Sequence, residues 1–155
     1  MFWMCVIFAF SAQEQEESSA VSESFSYRMV CSADSFLGLN WDDERLHEIA
    51  DAIEGYVRKA AHMTEFGILA VLIYIWLGKW QFTTRKTMLL AILAAALYAA
   101  SDETHQLFVA GRSGRVTDVM IDSAGAILGV LIFAGVEKCI IFLWNRRKSR
   151  ESESL

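Results

Sequence analysis

Apolar residues along this chain fall into four blocks separated by polar stretches. The first, Met1–Ala12, amounts to about 18 Å of helix, too short to span a bilayer. It lacks a basic leader, so it predicts a truncated first membrane helix; a signal peptide cleaved near Ala9–Ser11 is the alternative. The next two apolar cores, Phe66–Gly78 and Met88–Ala100, cover about 20 Å each against a hydrocarbon layer of about 30 Å. Both must extend into polar sequence to cross. The second extends backward through Lys59, His62 and Glu65, the third forward through Asp102, Glu103, His105 and Gln106. The fourth block runs from about Thr117 to Val136, with Glu137–Lys138 near its far interface and Cys139–Trp144 as an interfacial extension. The pattern predicts an all-α fold: a small polytopic membrane helical bundle with four transmembrane helices, the first one short or truncated.

Four stretches follow from this reading. Residues 1–12 hold the short first helix. Residues 13–56 form an acidic extracytoplasmic segment, helix-like around Asp42–Tyr56, where Leu46, Ile49, Ala50 and Ile53 repeat at helical spacing. Residues 57–145 form the core with three membrane helices, and residues 146–155 a basic cytoplasmic tail. Consecutive spans alternate direction, so the start of the second, the end of the third and the start of the fourth share one side. The opposite side carries Lys79, Arg85, Lys86 and Arg146, Arg147, Lys148 and Arg150, with Trp76, Trp80 and Trp144 near the interface. Basic loops stay in the cytoplasm, so the polar helix ends and the acidic segment are expected outside the cytoplasmic (inner) membrane.

Composition agrees with a membrane bundle. The 155 residues are 54% hydrophobic. Proline is absent, which suits uninterrupted helices. The net charge of -5 comes largely from acids between Gln13 and Glu54, Glu14 among them. The C-terminal basic cluster is short and adjoins an apolar run, which reads as a membrane anchor, and no nucleic-acid footprint is present. Cys5, Cys31 and Cys139 lie far apart without metal spacing and read as unpaired thiols.

The charged groups at the helix ends carry the candidate chemistry. Arg58, His62 and Glu65 fall within about 60° of arc at about 100° per residue, with Lys59 beside His62. Asp102, His105 and Gln106 share a face of the third span; Asp118, Asp122, Gly125 and Gly129 form a stripe on the fourth. Gly111-Arg112-Ser113-Gly114-Arg115 is a basic turn between them. Short carboxylates cannot snorkel, so Asp102, Asp118 and Asp122 are expected to find partners among Arg112, Arg115, Lys59 and His62. The expected network comprises Lys59, His62, Glu65, Asp102, Glu103, Gln106, Arg112, Asp118 and Asp122. It could be structural glue, a binding site or a catalytic site. His62-x-x-Glu65 is not a recognised zinc pattern, so no metal is expected and any cofactor stays open. Ser101, Thr104 and Ser113 lie near His or Asp, but no elbow or triad frames them.

An ordered set of these residues resembles the VanZ family of small bacterial membrane proteins. It comprises Trp3, Val6-Ile7-Phe8, Phe10-Ser11 and Gln13; Lys59-x-x-His62-x-x-Glu65-Phe66; Ser101-Asp102-Glu103-x-x-Gln106-x-Phe108; Gly111-Arg112; Asp118-Val119; and Gly125 with Gly129. The likeness covers most of the chain. The short first helix, Val109-Ala110 in place of a loop proline, and Asp122 where Asn is common depart from it. The resemblance implies a polytopic envelope protein, linked in some members to reduced susceptibility to glycopeptide antibiotics such as teicoplanin, and supplies no mechanism. The leading expectation is an extracytoplasmic polar pocket binding membrane lipids or a lipid-linked envelope precursor. The alternatives are an intramembrane hydrolase or transferase using the same His, Asp, Glu and Arg groups, and a non-enzymatic membrane scaffold.

Overall fold

The computed structural model describes residues 2–13, 15–80 and 84–153. Met1, Glu14, the 81–83 part of the basic loop, residues 154–155 and the Arg150 side chain lie outside the described residues. Among the described residues the fold is all-α, with five helices: α1 Phe2–Ser11, α2 Gln15–Leu37, α3 Asp43–Gly78, α4 Thr84–Gln106 and α5 Val116–Glu153. Among the described residues, α3, α4 and α5 are long and apolar enough to cross a membrane, and α1 is a shorter apolar helix.

The second span reaches further back than its apolar core. Its helix α3 runs unbroken for 36 residues. It starts at an Asp42 N-cap whose side chain accepts from the Arg45 N–H at 2.9 Å, satisfying one of the free donors of the first turn. The helix is about 54 Å long. With about 30 Å inside hydrocarbon, its N-terminal part projects well beyond the bilayer.

The polar helix α2 packs along this projection as one arm of a hairpin. Gly38 and Asn40 turn the chain with φ of 64° and 53°. The Gly38 N–H donates to the Asp34 carbonyl at 2.8 Å. A left-handed glycine closing a helix end in this way is a common stop. Tyr27 donates to Asp43 at 2.6 Å, and Ser22 donates to Glu54 at 2.5 Å. The buried face of α2 holds Ser22, Ser26 and Val30, and α3 buries Ala50.

The membrane core is built from small residues at the helix contacts. Ala91, Ala95 and Ala99 on α4 are fully buried at four-residue spacing, with Phe66, Leu69 and Ala70 of α3 and Ala126 and Val130 of α5. Lipid supplies no hydrophobic drive between helices, so close packing of small side chains holds them together. The tightest crossing joins α3 to α5. There the Gly125 position abuts the Met63 backbone and the Gly129 position abuts Gly67. Large apolar side chains such as Leu72, Leu93, Leu97, Leu128 and Ile132 point outward, as a lipid-facing surface requires. At the far end, the Tyr74 hydroxyl donates to Glu137 at 2.8 Å and fixes the register of α3 against α5.

The apolar helix α1 docks into this bundle. Its Ile7 and Ser11 are fully buried. The Trp3 indole donates to the Glu65 carbonyl at 2.9 Å, and Tyr98 of α4 donates to the Met4 carbonyl at 2.7 Å.

Candidate functional site

The polar ends of α3, α4 and α5 meet around a cavity of about 180 Å³. Helix α3 contributes Gly55, Arg58, Lys59 and His62, and α4 contributes Glu103 and Gln106. The α4–α5 loop contributes Arg112, Ser113 and Arg115, and α5 contributes Asp118, Ile121 and Asp122. Seven of the nine network residues expected from the sequence therefore line one space. Glu65 and Asp102 stand behind it. The close α3–α5 crossing lies below it: Gly125 follows Asp122 by three residues and presents no side chain to α3.

The loop is shaped by local backbone preference. Gly111 takes a φ of 76°. Glycine reaches this left-handed conformation without a Cβ penalty. The turn then delivers Arg112 inward and lets the Arg115 N–H donate to the Glu103 carboxylate at 2.5 Å. This bond anchors the start of α5 to α4.

The partners differ from those the sequence suggests. Arg112 bonds the end of α1, donating through Nε to the Gln13 carbonyl at 3.0 Å and through one terminal nitrogen to the Phe10 carbonyl at 3.4 Å. Carbonyls at a helix C-terminus have no intrahelical donor and carry partial negative charge, so an arginine suits them. Burial pulls the Arg112 guanidinium below its ordinary pKa, as does nearby Arg58, while Asp102, Glu103 and Glu65 push the other way. Asp102, 4% exposed, accepts from Ser11 at 2.6 Å and from Gln106 at 3.1 Å. Arg58 donates to Glu54 at 3.1 Å and to Ser19 of α2 at 3.2 Å. His62 lies 3.8 Å from Glu65. His105 turns away from the cavity and stacks on Phe8 of α1 with ring centres 4.5 Å apart.

Among the described residues, no ion pair at contact distance joins Lys59, Arg112 or Arg115 to a carboxylate. The Arg112 side chain is directed to α1, and the Arg115 backbone to α4. Asp122 is 4% exposed and receives no hydrogen bond from the described residues. Among them, no three His, Cys, Asp or Glu side chains converge as metal ligands do.

Three contributors to the site are not apparent in the sequence pattern. Two are Gly55 and Ile121, although Gly55 precedes His62 by seven residues and Ile121 follows Asp118 by three, the spacings of one helix face. The third is α1 as a wall: Trp3, Ser11 and the carbonyls of Phe10 and Gln13 hold Glu65, Asp102 and Arg112 from behind.

Asp122 yields a stability prediction. A largely buried carboxylate that has only cavity solvent and no protein donor is costly, and the amide of an Asn of the same shape is not charged. Asp122→Asn is expected to stabilise the purified protein by about 1–2 kcal/mol. Thermal unfolding in detergent reads this out; a destabilised variant would contradict an unpartnered carboxylate.

Compared with known proteins, the chain matches the family model described as VanZ/LLP1 over residues 1–142. The match takes in α1 to α4 and most of α5, hence every element around the cavity. No curated protein and no solved structure matches it.

Proposed function

The chain belongs to the VanZ/LLP1 family, and from that premise we propose that it binds the polar headgroup of an envelope lipid or lipid-linked precursor in the cavity at its helix ends. The observation that carries this reading is the set of bases lining the cavity without a carboxylate partner at contact distance: Lys59, Arg112 and Arg115. Arginine and lysine offer several N–H donors to phosphate oxygens, more than any other side chain in the cavity. Exposed apolar side chains around the bundle support this reading, since an amphiphile beside them can present its headgroup while its chains stay in the bilayer.

The proposed orientation puts the cavity outside the cytoplasmic membrane. Lys79, Arg85 and Lys86, with Arg146, Arg147 and Lys148, lie at the opposite helix ends. Basic flanks of this kind hold their side in the cytoplasm. The cavity measures about 180 Å³. Sites for drug-sized ligands begin at roughly 300 Å³. The space suits a headgroup and not a glycopeptide. Any effect of this protein on glycopeptide susceptibility then runs through the lipid it holds.

Retention of phospholipid by the purified protein tests the reading. Native mass spectrometry after exchange into mixed vesicles of phospholipid and uncharged diacylglycerol should show phospholipid retained. The double variant Lys59→Gln/Arg115→Gln should retain it about a hundredfold less or lower still, since each of the two charge-assisted bonds is worth about 1.5–3 kcal/mol. Equal retention by a folded double variant would refute the reading. Analysis of the same vesicles for cleaved headgroups separates binding from the hydrolase or transferase alternative.

A further inference from the structure

Resting on the reading that the cavity takes an envelope headgroup, we propose that this headgroup is a zwitterion, carrying a phosphate and a primary ammonium group together. The argument starts from charge balance. Four bases and three acids line the cavity, and one base, Arg58, is already paired with Glu54. Three of each sign remain: Lys59, Arg112 and Arg115 against Glu103, Asp118 and Asp122. None of these bases forms an ion pair with any of these acids. The bases come from α3 and the loop, the acids from α4 and α5.

The cavity therefore carries both signs with no ion pair between the two sets. A simple anion gains the bases but lies against Asp118 and Asp122. A simple cation meets the converse penalty. A ligand with both charges satisfies both sets, and each unmatched charge becomes a ground for rejecting the simpler ions.

Asp122 sharpens the choice of cation. It is nearly enclosed and receives no hydrogen bond from the described residues. It lies one turn below Asp118, about 6 Å along the helix. A primary ammonium brings three N–H donors to these two carboxylates, whereas a quaternary ammonium brings none. The phosphate then faces Lys59 and Arg112 on the cavity lining. A volume of about 180 Å³ accommodates two such groups on a short spacer.

The test uses the full-length protein exchanged into vesicles of phosphatidylethanolamine, phosphatidylglycerol or phosphatidylcholine with matched chains, with retained lipid counted by native mass spectrometry. Wild type is expected to prefer phosphatidylethanolamine to both others by about tenfold. Asp118→Asn and Asp122→Asn, made separately so that a folding failure in one leaves the other, should bring phosphatidylethanolamine down to the level of phosphatidylglycerol. Lys59→Gln should lower both. Soluble phosphoethanolamine added as competitor distinguishes a free ligand from a lipid: displacement of the lipid means that the headgroup alone is read, and no displacement means that the chains are needed too. Wild-type preference for phosphatidylglycerol, or equal retention of phosphatidylcholine, overturns the zwitterion while leaving a headgroup site standing. No retention of any phospholipid overturns both.

Discussion

Gly125→Leu is expected to destabilise the bundle by about 3 kcal/mol or more and to yield little folded protein. An added Cβ at this position would overlap the Met63 carbonyl and its neighbouring backbone atoms. Backbone cannot swing aside as a flexible side chain can, so α3 and α5 must separate. Separation costs the packing of Phe66, Ala126 and Val130 and opens the floor of the cavity. Gly135→Leu is the control on the same helix, because among the described residues nothing beyond the adjoining backbone of α5 lies within 4 Å of its added Cβ. That change should stay within about 0.5 kcal/mol of wild type, as surface substitutions do. Melting temperatures in one detergent settle the comparison: a Gly125→Leu protein melting within a degree or two of wild type would mean that the crossing does not hold the bundle.

The same glycines show what is legible in the sequence. The stripe of Asp118, Asp122, Gly125 and Gly129 reads as polar above and small below, because helical spacing alone puts these residues on one face. That α3 is the helix against the glycines follows from the fold, not from the stripe. The spans themselves are visible because hydrocarbon thickness forces short apolar cores to recruit polar neighbours. That arithmetic draws in Lys59, His62, Glu103 and Gln106, and they do line the cavity.

Helix α2 is not legible, for a physical reason. Its buried face is made of Ser22, Ser26 and Val30, while Val21, Phe25 and Met29 point outward. A hydropathy pattern assigns the apolar stripe to the interior, and here it is the small hydroxyl face that lets α2 approach α3. The unbroken run of α3 across residues 56 and 57 is hidden for a related reason. Its projecting half is acidic and signals helix only through Leu46, Ile49, Ala50 and Ile53. The partners of the charged residues are hidden too. Charge complementarity suggests Arg112 against the aspartates, but backbone carbonyls compete for a guanidinium, and the end of α1 offers two of them. Sequence gives no hint of which carbonyls are left free at which helix end.

That competition makes Arg112 the most consequential side chain of the loop. Arg112→Ala is expected to loosen α1 and empty the cavity of a base at once. The Gln13 carbonyl loses its side-chain donor, and the Phe10 carbonyl keeps only the Gln13 N–H at 3.3 Å. The Gln13 bond is partly buried and the Phe10 bond exposed; bonds of this kind are worth about 1 kcal/mol each. The remaining ties of α1, the Trp3 bond to Glu65, the Tyr98 bond to Met4 and the Ser11 bond to Asp102, do not reach the loop that Arg112 joins to its C-terminal end. Amide hydrogen exchange over residues 2–13 should therefore quicken by about tenfold or more, and phospholipid retention should fall by a similar factor. Arg112→Lys separates the two roles. A lysine restores a positive charge beside the cavity but lacks the planar fork that reaches two carbonyls, so retention should recover in part while exchange in α1 stays fast. Unchanged exchange in α1 together with unchanged retention in Arg112→Ala would show that neither role belongs to this residue. Recovery of both by lysine would show that charge alone, without the two-carbonyl clamp, fastens α1.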